Sequence, residues 1–148
     1  VIAFRQQEGE MLGNVLREKI ENIRSLLGMI DPYEAERIEK VKLRLYEGLK
    51  SLEGIEYDKN RFEQELIYYI EKLDISEEKE RLANHLDYFI ETLDMEQSQG
   101  RKLGFIAQEI GREINTIGSK SNHSEMQRLV VQMKDELEQI KEQVLNVL

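Results

Sequence analysis

The sequence of residues 101–122, RKLGFIAQEIGREINTIGSKSN, decides the predicted fold. Its apolar residues recur at spacings of three or four, which is the period of one face of an α-helix. They are Leu103, Ile106, Ile110, Ile114 and Ile117. Gly118 favours a helix end, because glycine readily adopts the left-handed conformation that often follows the last helical turn. The sequence therefore predicts a helix over about 101–117 and a polar turn after it.

The same period predicts five further helices, and most of them begin at a recognisable capping residue. They run from about Phe4 to Met29, from Asp31-Pro32 to about Gly54, from Asn60, from Asp74 and from Ser124. A loop is predicted over Gln97 to Gly100. No segment of the sequence alternates apolar and polar residues with a period of two, although one or two short extended pieces are expected near 53–58. We expect an all-α fold, a bundle of about six long antiparallel helices.

The last predicted helix carries a continuous apolar seam from Met126 to Val147. Its apolar residues alternate at spacings of three and four over three heptads, as in helices that pack along their length. The seam fits the core of a bundle formed by this chain alone, and it also fits a contact with another subunit. We expect the protein to oligomerise. Within one compact unit, we place a helical central region at 1–73 and a C-terminal helical region at 74–148.

Composition excludes several classes of protein. The 148 residues include no cysteine, which removes disulfides, thiolate metal sites and thiol nucleophiles. No apolar run approaches the roughly 18 residues that a membrane span needs, and no signal peptide opens the sequence, so we expect a cytoplasmic protein with no membrane partner. The net charge of −9 argues against general binding of nucleic acid. Cations outnumber anions over residues 100–124, so any RNA contact is expected there.

The predicted turn after Ile117 is rich in hydrogen-bond donors. Its sequence, Gly118-Ser119-Lys120-Ser121-Asn122, places a cation among hydroxyl and amide side chains on a tight backbone, and such groups suit phosphate oxygens. The alternative is structural, a helix C-cap followed by the N-terminus of the next helix. That alternative explains only the glycine, so we favour a phosphate-facing turn. His123, just beyond the turn, is expected to be a solvated loop residue.

Two glutamates precede this turn on one helix face. Glu109 and Glu113 lie four residues apart, with Arg112 beside them. Carboxylate oxygens suit magnesium or manganese, which prefer oxygen over sulfur ligands. The alternative is an ordinary surface ion pair with Arg112, which contributes roughly 0.5 kcal/mol to stability. The sequence leaves both interpretations open.

A second candidate group lies on the preceding helix. Glu78, Arg81 and His85 are spaced by three and four residues, so they share one helix face. Imidazole and carboxylate together can hold a divalent cation or transfer protons. The alternative is an ion pair beside a partly buried histidine, and composition alone favours that alternative.

The sequence resembles a known family of bacterial proteins. Residues 108–121, QEIGREINTIGSKS, match a signature near the C-terminus of the YicC family. Five shorter matches occur in the family's order, and they are Arg5-x-x-Glu8-Gly9, Asp74-Ile75-Ser76-Glu77-Glu78, Arg81-Leu82-x-x-His85-Leu86, Gly100-Arg101-Lys102-Leu103 and Val131-x-Met133-Lys134-x-Glu136. Because these matches extend over nearly the whole chain, it resembles the C-terminal part of the family. We expect the family's N-terminal α/β half to be absent from this sequence.

The resemblance implies a metal-dependent endoribonuclease that assembles as a hexamer, with magnesium or manganese as its metal and RNA as its substrate. It shifts the interpretation of the matching positions toward function. The implied roles are catalysis by Glu78, His85 and Glu113, metal binding by Glu78, Glu109 and Glu113, and RNA binding by Arg81, Arg101, Lys102, Arg112, Asn115, Ser119, Lys120 and Ser121. The alternative is a non-catalytic helical module that binds RNA or organises an assembly. The acidic composition and the presence of only two histidines favour that alternative.

Overall fold

The structure is a computed structural model that describes residues 2–50, 59–95 and 100–147, with side chains described for most of them. These residues form five α-helices and no strand. The helices are α1 (Ile2–Lys50), α2 (Lys59–Leu73), α3 (Ser76–Leu93), α4 (Gly100–Lys120) and α5 (Ser124–Val147). The predicted all-α fold is confirmed. The predicted end of a helix near Gly54, the extended pieces at 53–58 and most of the loop at 97–100 lie outside the described residues, and Gly100 begins α4.

The predicted count of six helices is wrong for the described residues, because the first two predicted helices form the single helix α1 through Pro32. A proline inside a helix leaves the carbonyl four residues earlier, here that of Gly28, without its backbone donor. Both residues are exposed, so water can replace the missing N–H. On the opposite face, Leu27, Ile30 and Arg37 are buried on both sides of the proline and hold the helix against the core.

Four of the helices form a bundle. α1 packs against α3 and α5, and α4 packs against the same two helices from the other side. Neighbouring helices are antiparallel: on α1 and α3, Arg17 pairs with Asp94 and Arg24 with Asp87, so one helix descends as the other rises. The arrangement places the start of α3 beside the end of α4.

The core of this bundle is apolar and continuous. It contains the buried residues of α1, α3, α4 and α5, among them Ile20, Phe89 and Ile110 with no exposed surface. Burial of such a side chain contributes about 1.5–3 kcal/mol. The apolar seam of α5 lies in this core from Met126 to Val144, so it serves the chain's own bundle. The seam is therefore no argument for a contact with another subunit, and oligomerisation stays a prediction.

Three glycines bring α4 close to α5. Gly104, Gly111 and Gly118 are seven residues apart, and a Cβ atom added to them would lie 3.8, 3.0 and 3.1 Å from side-chain carbons of α5. The nearest carbon to Gly118 belongs to Val130. The predicted helix end at Gly118 is wrong: the helix continues to Lys120, and the glycine is there because a side chain would press on Val130.

The end of α1 and the whole of α2 differ from the bundle. Beyond Arg37, no described side chain of α1 is buried, and the same holds for residues 60–73 of α2. Several large apolar side chains are exposed there, namely Leu43, Tyr46, Ile67, Tyr68 and Tyr69. No helix in the described ranges is long and apolar enough to cross a membrane. The proposed division between residues 73 and 74 stays a prediction, and α1 packs against α5 across it.

Candidate functional site

Four of the predicted site residues meet between α3 and α4. Lys120 Nζ lies 2.8 Å from Glu78 Oε1, and Arg81 Nη2 lies 3.6 Å from the same oxygen. Arg81 Nε donates a hydrogen bond to Glu113 Oε1 at 3.0 Å. The antiparallel packing of α3 and α4 explains this meeting, because it sets the first turns of α3 against the last turns of α4. We call Glu78, Arg81, Glu113 and Lys120 the α3–α4 cluster.

The carboxylates of this cluster are buried and its cations reach solvent. Glu78 and Glu113 are only 5% and 6% exposed, whereas the side chains of Arg81 and Lys120 are 47% and 33% exposed. Buried carboxylates require charged partners, because desolvation of an unpaired charge costs several kcal/mol. One atom departs from this rule: Glu78 Oε2 is buried without a hydrogen-bond partner among the described residues.

Both carboxylates of the cluster lie beside positively charged side chains. Burial alone would raise the pKa of Glu78, but the hydrogen bond from Lys120, followed by the charges of Lys120 and Arg81, lowers it below its ordinary value. The hydrogen bond to Glu113 raises the pKa of Arg81. Glu78 is therefore held as the carboxylate, and Arg81 as the cation that lies between two acids.

A buried arginine supports the cluster from α1. Arg37 Nη1 donates a hydrogen bond to the carbonyl of Lys120 at 2.8 Å, and Nη2 donates to the carbonyl of Leu73. These carbonyls belong to the last residues of α4 and α2, so one guanidinium caps two helix C-termini. Desolvation lowers the pKa of Arg37, while Glu34 and Asp74 oppose that effect. Sequence reasoning missed Arg37, because it stands in a charged stretch of α1 that is typical of a solvated face.

The predicted phosphate-facing turn has a different structure. Ser119 and Lys120 belong to the last turn of α4, and the Ser119 hydroxyl donates to the Asn115 carbonyl. Ser121 is buried, and its hydroxyl donates to the Ile117 carbonyl at 2.5 Å. The side-chain amide of Gln127 donates to the carbonyls of Gly118 and Ser121. Both serine hydroxyls therefore satisfy helix carbonyls, and the RNA-binding roles of Ser119 and Ser121 stay predictions.

His123 is an interior residue, so the prediction of a solvated loop histidine is wrong. It is 8% exposed, its ring lies 5.3 Å from that of Tyr33, and its Nε2 lies 3.5 Å from Glu36 Oε1. Its Nδ1 accepts a hydrogen bond from the backbone N–H of Glu125 at 3.2 Å. His123 therefore caps the start of α5, the role that the sequence had assigned to Ser124.

Two predicted site residues remain apart from the cluster. His85 lies one turn after Arg81 on α3 and is half-buried, and no described hydrogen bond or ion pair joins it to the cluster. Glu109 makes a long ion pair of 3.9 Å with Arg112. In the part of the chain that the structure describes, no three acidic or histidine side chains are gathered as a ready-made metal site. The metal-binding residues therefore stay predictions.

Glu109 and Arg112 line a shallow groove between α4 and α5. The groove has a volume of about 360 Å³, and its walls are Gln108, Glu109, Gly111, Arg112, Asn115 and Lys141. Gly111 supplies part of the space, because a Cβ atom there would lie 3.9 Å from Lys141 Nζ. We call these residues the α4–α5 groove. Sequence reasoning missed Lys141, which is 30 residues away from Gly111 and enters only through the packing of α5.

Comparison with known proteins decides the family. Residues 30–148 match the family described as "Endoribonuclease YicC-like, C-terminal". The chain belongs to this family. It is 36% identical over 148 residues to "Probable endoribonuclease YicC" of Clostridioides difficile, and 31% identical over 153 residues to the protein of that name from Haemophilus influenzae. These alignments cover 97% and 99% of the chain and 50% of each relative, so the chain spans about half the length of the curated relatives it matches.

The YicC-like signature thus separates into two groups of side chains on α4. Glu113 and Lys120 face α3 and join the α3–α4 cluster, whereas Arg112 and Asn115 face the α4–α5 groove. Two other predicted RNA-binding cations lie near the start of α4. Arg101 is exposed, and the Lys102 ammonium lies 4.9 Å from the centre of the Tyr88 ring.

Proposed function

We propose that the chain is the C-terminal part of a metal-dependent endoribonuclease that cleaves RNA phosphodiester bonds. Membership of the YicC-like family supports the activity, since the two relatives are described as probable endoribonucleases. The single observation that supports a site within this chain is the α3–α4 cluster. It combines two buried carboxylates with two partly exposed cations, which is the charge pattern expected where a phosphate is bound and attacked.

The donor set of the cluster suits a hard divalent cation. Glu78 Oε2 is a buried carboxylate oxygen without a hydrogen-bond partner among the described residues, and such an oxygen is available as a ligand. Magnesium commonly takes one or two carboxylates and completes its shell with water and substrate phosphate. Within the cluster, Glu78 and Glu113 would hold the ion together with RNA. When bound, such an ion supplies charge neutralisation at the phosphate and a lower pKa for a bound water.

The remaining roles follow from exposure and charge. Arg81 and Lys120 keep part of their side chains in solvent, so they can contact a phosphate while Glu78 and Glu113 hold them in place. Their positive charge stabilises the negative charge that develops on the phosphate oxygens during attack. His85 lies on the same face of α3 as Glu78 and Arg81, and as a neutral imidazole it can accept the proton of the attacking group.

A second candidate function is a helical module that binds RNA or organises an assembly without chemistry. The observation in its favour is that both buried carboxylates of the cluster already have cationic partners, which a purely structural link between α3 and α4 would also require. Assembly as a hexamer is a further proposal. The exposed apolar side chains of α2 give it some support, since such surface often contacts another subunit.

The test compares two glutamates by their effect on RNA cleavage. Glu113→Gln removes a buried carboxylate of the cluster, and Glu91→Gln changes an exposed glutamate of α3. We expect Glu113→Gln to lower manganese-dependent cleavage of an end-labelled RNA at least about 100-fold, and Glu91→Gln to leave it unchanged. Circular dichroism checks that both variants are folded. Full cleavage by the folded Glu113→Gln variant would remove the cluster from the active site, whereas no manganese-dependent cleavage by the wild type would favour the non-catalytic module.

A further inference from the structure

We propose that one exposed face of α4, together with the α4–α5 groove, forms a binding path for single-stranded RNA in which Phe105 stacks on a base and Lys141 contacts a phosphate. The proposal rests on the proposed function, because it assigns the contacts that hold the substrate. It adds two residues, Phe105 and Lys141, that neither the family signature nor the spacing of charges had singled out.

The first observation is a stripe of exposed residues along α4. At alternating spacings of four and three, six residues follow one face of the helix, and all of them are exposed: Arg101, Phe105, Gln108, Arg112, Asn115 and Ser119. Four of the six carry side-chain donors that no helix carbonyl of α4 takes up, and two of these four are cations, whereas the Ser119 hydroxyl donates to the Asn115 carbonyl. These spacings are those of any exposed helix face. What distinguishes this face is that it joins donors that phosphates accept to an aromatic ring.

Phe105 is the one apolar residue of this stripe, and its exposure to water is unfavourable. Its side chain is 64% exposed on a helix whose other large apolar residues are buried in the core. Aromatic side chains flanked by arginine and amide groups are typical of surfaces that bind unpaired nucleotides, because every base offers a face for stacking. Bases inside a duplex are already stacked, so Phe105 favours a single strand.

The groove provides a place for the phosphate beside this ring. Arg112 and Lys141 supply two cations, Gln108 and Asn115 supply amide donors, and Glu109 is the anion of the groove wall. Lys141 Nζ also lies 3.7 Å from Oε1 of the exposed Glu138, a long surface ion pair that a phosphate can replace. The missing side chain of Gly111 leaves the space between α4 and Lys141 open. From Phe105 to Arg112 the helix rises about 10 Å. A strand that stacks on Phe105 therefore reaches the groove along the same helix face.

The experiment measures binding of a fluorescein-labelled oligouridylate of about 12 nucleotides by fluorescence anisotropy. EDTA is present, so metal-dependent cleavage does not interfere. We expect Phe105→Ala to weaken binding about 10-fold, because stacking on one base is lost, and Phe105→Tyr to retain it. We expect Lys141→Ala to reduce the slope of log affinity against log salt by about 0.7, the value for one phosphate contact with a single strand.

Matched controls lie on α1 and α2, away from the groove. Tyr46 is an aromatic residue of similar exposure, at 53%, and Lys72 is an exposed lysine. Tyr46→Ala and Lys72→Ala should leave affinity and salt slope unchanged. Equal losses in the variants and their controls, or no loss at Phe105 and Lys141, would overturn the proposal. Light scattering in which Phe105→Ala converts an oligomer to a monomer would also overturn it, because Phe105 would then belong to a subunit contact.

The outcome is separable from that of the proposed function. Binding that depends on Phe105 and Lys141, in a protein that cleaves no RNA with manganese, would retain the path and reject the nuclease. Cleavage that depends on Glu113, with binding indifferent to Phe105 and Lys141, would retain the nuclease and reject the path.

Discussion

The two faces of α4 place charged residues in opposite environments, although both faces come from one stretch of sequence. The face toward α3 buries Glu113, and Arg81 and Lys120 neutralise the acids beside it. The face with the α4–α5 groove keeps Arg112 and Asn115 in solvent, where the nearest ion pair of Arg112 is a long one. Charges on the buried face therefore contribute to stability as well as to any chemistry, whereas charges on the exposed face make only long ion pairs among the described residues and remain accessible to a ligand. Substitutions should separate these contributions.

The largest effect is expected for Arg37 of α1, which caps the end of α4 beside the buried face. Arg37→Ala should reduce the free energy of unfolding by about 3 kcal/mol, because two charge-assisted hydrogen bonds to helix ends are lost. Urea denaturation measures the loss. The matched control is Arg128→Ala, whose cost should stay below about 0.5 kcal/mol. Its guanidinium is exposed and, among the described residues, pairs only with Glu125 on its own helix. Similar losses for the two variants would show that water replaces the Arg37 caps.

Double-mutant cycles compare the two faces directly. Glu78→Gln combined with Lys120→Met tests the pair at 2.8 Å on the buried face, and Glu109→Gln combined with Arg112→Met tests the pair at 3.9 Å on the exposed face. We expect a coupling free energy of about 2 kcal/mol for the first pair and about 0.5 kcal/mol or less for the second. Equal couplings would mean that the burial of Glu78 does not distinguish the faces.

A smaller effect is expected from acid. The pKa of Glu78 lies below its ordinary value of 4.5, so the folded state binds this proton less readily than the unfolded chain does. The resulting stabilisation is fully present above about pH 4.5 and is lost as the pH falls through the lower pKa of the folded state. Urea midpoints between pH 6 and pH 3 should fall less for Glu78→Gln than for the wild type. Glu109→Gln, on the exposed face, should retain the full loss, and an identical loss in both variants would exclude Glu78 as its source.

The helices of the bundle could be predicted from sequence because their apolar period records the core face directly. Leu103 through Ile117 on α4 and Met126 through Val144 on α5 are buried as their spacing indicated. The helix boundaries were less predictable, because the local preferences of proline and glycine compete there with tertiary packing. Pro32 has the local context of a helix start, yet core contacts on both sides keep α1 continuous. Gly118 has the local context of a helix end, yet its missing side chain serves contact with Val130.

The candidate site was predictable in its members but not in its connections. Spacing and family resemblance selected Glu78, Arg81, Glu113 and Lys120, and the structure joins these four. Periodicity within each helix could not reveal that Arg81 lies between acids of two helices, since that requires the relative position of α3 and α4. Arg37 and Lys141 were not predicted, for the same reason. Each lies against a helix that is distant in sequence, and neither belongs to a local sequence pattern.

The unbroken α1 also has a mechanical consequence. It is a rod of 49 residues with its one proline a little past the middle, and α2 follows its far end. A bend of about 10° at Pro32 would displace Lys50 by about 5 Å but Arg37 by only about 1 Å, given the rise of about 1.5 Å per residue. The helix would therefore act as a lever that turns about Pro32, with Arg37 near the pivot and Lys50 far from it. A force on the exposed side chains of α2 would produce a smaller displacement but a larger force at the Lys120 carbonyl, which Arg37 contacts.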